Sequence, residues 1–135
     1  MRYALDSDVL IYAADFSNPL GSPIRHLLQH SAPGTHLGSV LLFPEVLAKP
    51  LREGRFSELH FLSDLLATLE LQEITSATAQ FSTQLAAAYR LKAADALHLA
   101  TAVQSGADAF VTNNRKDFRP REVLEIKVLF PDEVG

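Results

Sequence analysis

At 135 residues, 47% apolar and 21% charged, the chain can bury one core and is too apolar to be disordered. It has no cysteine, which excludes disulfides, thiolate metal sites and a cysteine nucleophile together and fits a reducing compartment. A formal net charge of −4 argues against a protein that simply coats nucleic acid, but not against an enzyme acting on it, because a divalent cation offsets the acids that hold it.

Tyr3, Ala4 and Leu5 read as a brief strand that meets Asp6 abruptly. Ser7 and Asp8 are helix-start residues and an apolar run resumes at Val9, so a short helix covers 7–14. Residues 18–23 (Asn-Pro-Leu-Gly-Ser-Pro) form a turn cluster. A helix at 24–30 carries Ile24, Leu27 and Leu28, and Pro33-Gly34 ends it. Residues 35–39 read as a second strand. The helix over 41–52 sets Phe43, Val46, Leu47 and Leu51 at helical spacing. Pro44 suits its first turn. Pro50 removes a hydrogen bond at a cost of ~3 kcal/mol, which predicts a kink or break near Lys49.

A leucine stripe marks a helix at 57–68, and 69–74 alternates apolar and polar residues as a strand does. Two further helices follow, at 75–91 and 93–105, with Gly106 where a glycine cap belongs. Ala109, Phe110 and Val111 make a short strand, 113–118 is a polar loop, and 123–130 supplies the last strand. Strands alternate with crossovers long enough for parallel pairing. We therefore expect a single domain over 1–135, a three-layer α/β/α sandwich on a mainly parallel sheet. No apolar run reaches the length of a membrane span and no signal-peptide pattern stands at the N-terminus, so a cytoplasmic protein is expected.

The acidic residues gain meaning from this layout. Asp6 ends the first strand, Glu45 lies in the first turn of a helix, and Asp95 opens another among small apolar residues. Asn113, Asn114 and Asp117 follow the strand that ends at Val111. All belong near one edge of a parallel sheet, where ligands collect. Asp95, His98, Leu99 and Ala102 share one helix face that carries no Lys or Arg, so Asp95 needs a partner from elsewhere. Convergent carboxylates suit Mg²⁺ or Mn²⁺, and such a site favours hydrolysis of a phosphate ester.

Each residue alone has an ordinary explanation. Asp6 is a good helix cap, and Glu45 complements a helix dipole. Asp95 could cap its helix or pair with an arginine. His98 reads as a packed, hydrogen-bonded histidine rather than a metal ligand. Asn113 and Asn114 are common turn residues. Arg115, Lys116, Arg119 and Arg121 are most simply a solvated loop. The shared placement carries the case.

Taken in order, four segments resemble a PIN domain, and in particular the VapC-type toxins of toxin–antitoxin pairs. They are Leu5-Asp6-Ser7-Asp8-Val9-Leu10-Ile11-Tyr12, the stretch from Ser39 to Glu45 continuing into Val46-Leu47, the run from Leu91 through Asp95 to Ala102, and Phe110-Val111-Thr112-Asn113-Asn114 followed by Asp117-Phe118. The third is the most specific, and the match spans nearly the whole chain. The resemblance implies a metal-dependent endoribonuclease in which Asp6, Glu45 and Asp95 are catalytic and hold Mg²⁺ or Mn²⁺. The family's fourth acid is replaced by Asn114, which brings a carbonyl oxygen but no charge, and Asp117 stands ready to compensate. Ser7 and Thr112 would orient the acids or water. The resemblance also implies an RNA substrate, a homodimer and a small antitoxin partner. Arg52, Arg55, Arg115, Lys116 and Arg119 are candidates for RNA phosphate contact.

Three alternatives are weighed against this. A phosphoacceptor receiver domain needs an Asp after a central strand that neither 35–39 nor 69–75 offers. A haloacid-dehalogenase-type phosphatase shares the Asp6-Ser7-Asp8 start, but Leu10 stands where Thr or Val is expected and the chain is short for fold plus cap. A PIN-like domain that binds RNA or a partner without cutting is kept alive by Asn114.

Overall fold

The computed structural model describes residues 1–119 and 122–134, so the loop cation Arg121 lies outside the described residues. The strands are β1 (Tyr3–Leu5), β2 (Leu37–Ser39), β3 (Glu70–Gln72), β4 (Ala109–Val111) and β5 (Lys127–Leu129). They form one sheet in the order β3-β2-β1-β4-β5, with every pairing parallel. The helices are α1 (Ser7–Ala14), α2 (Gly21–Gln29), α3 (Leu42–Arg52), α4 (Phe56–Ala67), α5 (Ser76–Tyr89) and α6 (Ala93–Gln104). A short 3₁₀ turn at Pro131–Glu133 follows the last strand.

Alternation along the strands builds the layers. Tyr3 and Leu5 of β1, with Ala109 and Val111 of β4, pack against Val9, Leu10, Ile24, Leu42, Leu62 and their neighbours from α1–α4. Ala4 and Phe110 point the other way, into a second core with Leu85 of α5 and Ala96, Leu99 and Ala100 of α6. Consecutive strand residues facing opposite cores follow from the period of two, and burial on both faces explains why these strands are almost wholly apolar. The expected three-layer α/β/α sandwich is the observed one.

The chain moves outward from β1 to β2 and β3, then α5 and α6 carry it back to β4 on the other side of β1. The direction of winding therefore reverses at β1, and the carboxyl ends of β1 and β4 flank the crevice that such a switch point opens. A receiver-type order, with β1 between β2 and β3, is not what the sheet has.

Three local expectations are adjusted. α2 begins at Gly21 rather than 24, because Pro23 falls in the first turn, where a backbone N–H has no intrahelical acceptor. Gly21 is needed there: a Cβ would stand 2.0 Å from the Tyr12 carbonyl oxygen of α1. α3 does not break near Lys49 but continues to Arg52, since buried Pro50 lies in its last turn and forfeits one bond near an end. The last strand pairs only over Lys127–Leu129, although Val123 and Ile126 are still buried beneath it. Gly106, with φ +70°, caps α6 as expected: its N–H reaches the Val103 carbonyl at 3.2 Å and the Ala107 N–H reaches that of Ala102 at 3.1 Å.

Candidate active site

The crevice is built from the ends of five elements, β1, α1, α3, α6 and β4. Asp6 leaves β1 with its own N–H bonded to the Val111 carbonyl of β4 at 2.9 Å, which ties it to the switch point. It caps α1, one carboxylate oxygen accepting the Ser7 N–H at 2.8 Å. The other accepts the Thr112 hydroxyl at 2.8 Å. That hydroxyl in turn accepts the Asn114 N–H at 3.1 Å. Asp6 and Thr112 are buried, so this carboxylate has little freedom to turn. Thr112 orients Asp6 directly, whereas Ser7 contributes its backbone N–H.

Glu45 comes from the first turn of α3 and bonds His98 Nε2 of α6. The same nitrogen lies 3.9 Å from Asp6 Oδ1. His98 is buried, in keeping with a packed, hydrogen-bonded histidine, and its Nδ1 has no polar partner. Burial opposes the imidazolium, but the bond to Glu45 and the charges of Asp6, Glu45 and Asp95 outweigh it, so the His98 pKa is raised.

Asp95 opens α6, and Asn114 Nδ2 donates to it at 3.3 Å and to Asp117 at 3.0 Å. The Asn114 carbonyl oxygen accepts the Asp117 N–H at 3.3 Å. In this arrangement the amide bridges two acids with its donor end. Burial, then the charges of Asp6 and Asp117, push the Asp95 carboxyl up to about 6.

Asp8, which the sequence marks only as a helix-start residue, belongs to the same cluster. One of its oxygens accepts the Asn113 N–H at 2.9 Å, and the other is buried without a partner. Burial and the neighbouring Asp6 charge push it up to about 7. Its signal in the sequence is spacing: an acid two residues past Asp6 lies on the turn that starts from the same strand end.

None of Asp6, Asp8, Asp95 or Asp117 is paired with a Lys or Arg among the described residues. The donor set is oxygen-rich and negatively charged, and His98 is the one basic side chain that meets it among the described residues, which fits a hard divalent cation. Among the described residues no three acidic or histidine side chains stand as a ready-made ligand group. Glu45 is held by His98 and Asp95 by Asn114, so a cation would compete with those bonds.

The basic candidates divide. Arg55 is engaged by Glu58 at 3.0 Å and Glu53 at 3.3 Å. Arg115 bonds Asp132 and Asn113 and stacks 4.1 Å over the Phe130 ring. Arg119 pairs with Glu122 at 3.6 Å. Arg52 and Lys116 are exposed and form no ion pair among the described residues.

Comparison with known proteins agrees with this fold. The family model described as the PIN domain matches residues 3–122. A chain of a toxin–antitoxin complex from Klebsiella pneumoniae superposes with a TM-score of 0.73 at 25% identity, covering 98% of this chain and 99% of that one. A chain of VapBC2 from Rickettsia felis, bound to a DNA fragment from its promoter, gives 0.73 at 17% identity over 96% and 98%. A chain of DNA-bound VapBC from Salmonella typhimurium gives 0.74 at 15% over 97% and 98%. No curated protein sequence matches. The matched family model covers all four segments that resemble a VapC-type PIN domain, and the chain belongs to the PIN-domain family.

Proposed function

We propose that the protein is a Mg²⁺- or Mn²⁺-dependent endoribonuclease, a single PIN domain over 1–135 that acts in the cytoplasm as the toxin of a toxin–antitoxin pair. One observation carries the nuclease reading. Carboxylates from β1, α1, α3, α6 and the loop after β4 converge on the switch point with no Lys or Arg ion-paired to them among the described residues. Asp6, Glu45 and Asp95 would hold the cation, with Asp117 and the amide of Asn114 at the margin. A divalent cation there supplies charge stabilisation at a phosphodiester and lowers the pKa of water. The chain's own part is to fix the acids. Thr112 and the Ser7 N–H hold both oxygens of Asp6, His98 holds Glu45 across the crevice, and Asn114 holds Asp95 against Asp117.

The toxin reading and a small antitoxin partner rest on the likeness to chains from toxin–antitoxin complexes over nearly the full length of both chains, and a homodimer rests on the resemblance to VapC-type PIN domains alone. The purified protein, free of any partner, should cleave RNA with Mg²⁺ or Mn²⁺ and stop when a chelator is added. Asp6→Asn and Asp95→Asn should each abolish cleavage. Activity that survives either change removes that residue from the site. A wild type inert toward RNA and DNA favours the second reading, a PIN domain that binds without cutting, which Asn114 in place of an acid motivates.

A further inference from the structure

On the Asp117 side of the acid cluster lies a second cavity of about 340 Å³, lined by Tyr89, Arg90, Lys116, Asp117, Arg119 and Glu122. Asp117 is the shared wall, since the same side chain accepts Asn114 Nδ2 at 3.0 Å within the cluster. Beyond that wall the sign of charge reverses. Arg119 is offset by Glu122 at 3.6 Å, but Arg90 and Lys116 form no ion pair among the described residues. Tyr89 is pinned: its hydroxyl donates to Glu125 at 2.5 Å and accepts the Leu124 N–H at 3.2 Å, which leaves it the aromatic wall of a polar pocket.

Arg90 adds an independent observation. It is the residue that ends α5, and its backbone is left-handed, with φ +56° and ψ +43°. It is the one non-glycine residue with positive φ among those described. Glycine is the usual occupant of such a helix end, because any Cβ is disfavoured there. Here the position carries a guanidinium instead, at a cavity beside an acidic centre, and strain of this kind is characteristic of binding sites.

We propose that this cavity is a subsite for the phosphodiester backbone of single-stranded RNA, next to the phosphate that reaches the acid cluster, with Arg90 and Lys116 as its phosphate contacts. The proposal rests on the nuclease reading for its choice of ligand. A polyanion cannot approach the carboxylates without compensation, and a pair of unpaired cations one wall away supplies it, as backbone contacts do in general. The pinned Tyr89 ring suits an unstacked base better than a duplex.

The test is the salt dependence of binding of a short fluorescein-labelled oligouridylate to the full chain, without divalent metal so that nothing is cut. Arg90→Gly and Lys116→Gln should each weaken binding and reduce the slope of log K against log salt by about 0.7. Lys127→Gln removes one charge at the amino end of β5, in register with Ala109 rather than with the crevice end of β4, and should leave the slope unchanged. Arg90→Gly also separates binding from folding, since glycine suits the left-handed position and should keep or raise the Tm. Unchanged slopes in both variants, or no binding by the wild type, overturn the subsite. A cleavage assay on the same proteins keeps the two readings apart. Cutting with unchanged slopes leaves the nuclease and removes the subsite, whereas Arg90-dependent binding without cutting leaves the subsite and removes the nuclease.

Discussion

At the residue scale, the centre is held by single hydrogen bonds whose loss has a definite consequence. Thr112 is buried and serves two partners, donating to Asp6 and accepting from Asn114. Thr112→Val keeps the shape and removes both bonds, leaving a buried carboxylate oxygen and a backbone N–H unmatched. We expect a loss of about 1–3 kcal/mol in urea denaturation and a fall in metal-dependent cleavage, with Thr112→Ser restoring much of both. Asp8 behaves oppositely. Its unpartnered buried oxygen and the adjacent Asp6 charge make its ionised form costly without a cation. Asp8→Asn retains an acceptor for the Asn113 N–H and should raise metal-free stability at neutral pH by on the order of 1 kcal/mol. Thermal melts of the two proteins check it. The sequence makes Asp6, Glu45 and Asp95 legible because each starts or ends an element, and ends of elements meet at a sheet edge. Asp8 and the His98–Glu45 bond were hidden because a helix-start acid and a packed histidine carry the same letters whether or not they face a site.

At the element scale, two contacts set how helices sit on the sheet. Gly21 allows α2 to touch α1, and Gly21→Ala would drive a methyl into the Tyr12 carbonyl. Backbone cannot give way as a side chain can, so we expect at least about 1–3 kcal/mol of destabilisation by urea denaturation. His36, just before β2, accepts the Tyr3 N–H at Nδ1 (3.1 Å) and meets the Ser31 hydroxyl at Nε2 (2.9 Å) while stacking on the Tyr3 ring. Because Ser31 donates to the Leu27 carbonyl, His36 must be the donor at Nε2 and therefore neutral. Burial, then the N-terminal ammonium and Arg2, lower its pKa in the fold. The unfolded chain then binds a proton first as pH falls. The His36 contribution is complete above about pH 6.5, declines below it and is gone once pH passes below the depressed native pKa. The difference in urea midpoint between wild type and His36→Gln should shrink over that window.

Element types were readable from periodicity, and their ends less so. The strand predicted over 123–130 pairs for only three residues. Its buried Val123 and Ile126 produce the same alternation whether or not their backbone has a partner. Pro50 misled in the other direction: a rule for helix interiors met a helix two residues from its end.

At the scale of the whole molecule, the centre draws on elements from both halves of the chain, so a cation bound there would couple to folding. Mn²⁺ at about 100-fold above its Kd should stabilise the native state by about 2.7 kcal/mol, seen as a rise in Tm. The rise should be absent in Asp6→Asn and small in Asp95→Asn. A Tm that ignores Mn²⁺ while RNA is still cut with Mn²⁺ would mean that the metal enters only with substrate.

The reversal of winding at β1 has a consequence for the protein during its synthesis. Asp6, Asp8 and Glu45 leave the ribosome early, but β4 is the neighbour that completes the centre of the sheet, and Thr112, Asn114 and Asp117 arrive with it. A nascent chain that stops short of β4 has at most Asp6, Asp8, Glu45 and Asp95, without Thr112, Asn114 and Asp117 to hold Asp6 and Asp95 in place. On the proposed nuclease reading, the chain therefore does not act on the message or ribosome that is making it until almost the last segment has emerged. If a partner restrains it afterwards, the order of its strands restrains it before.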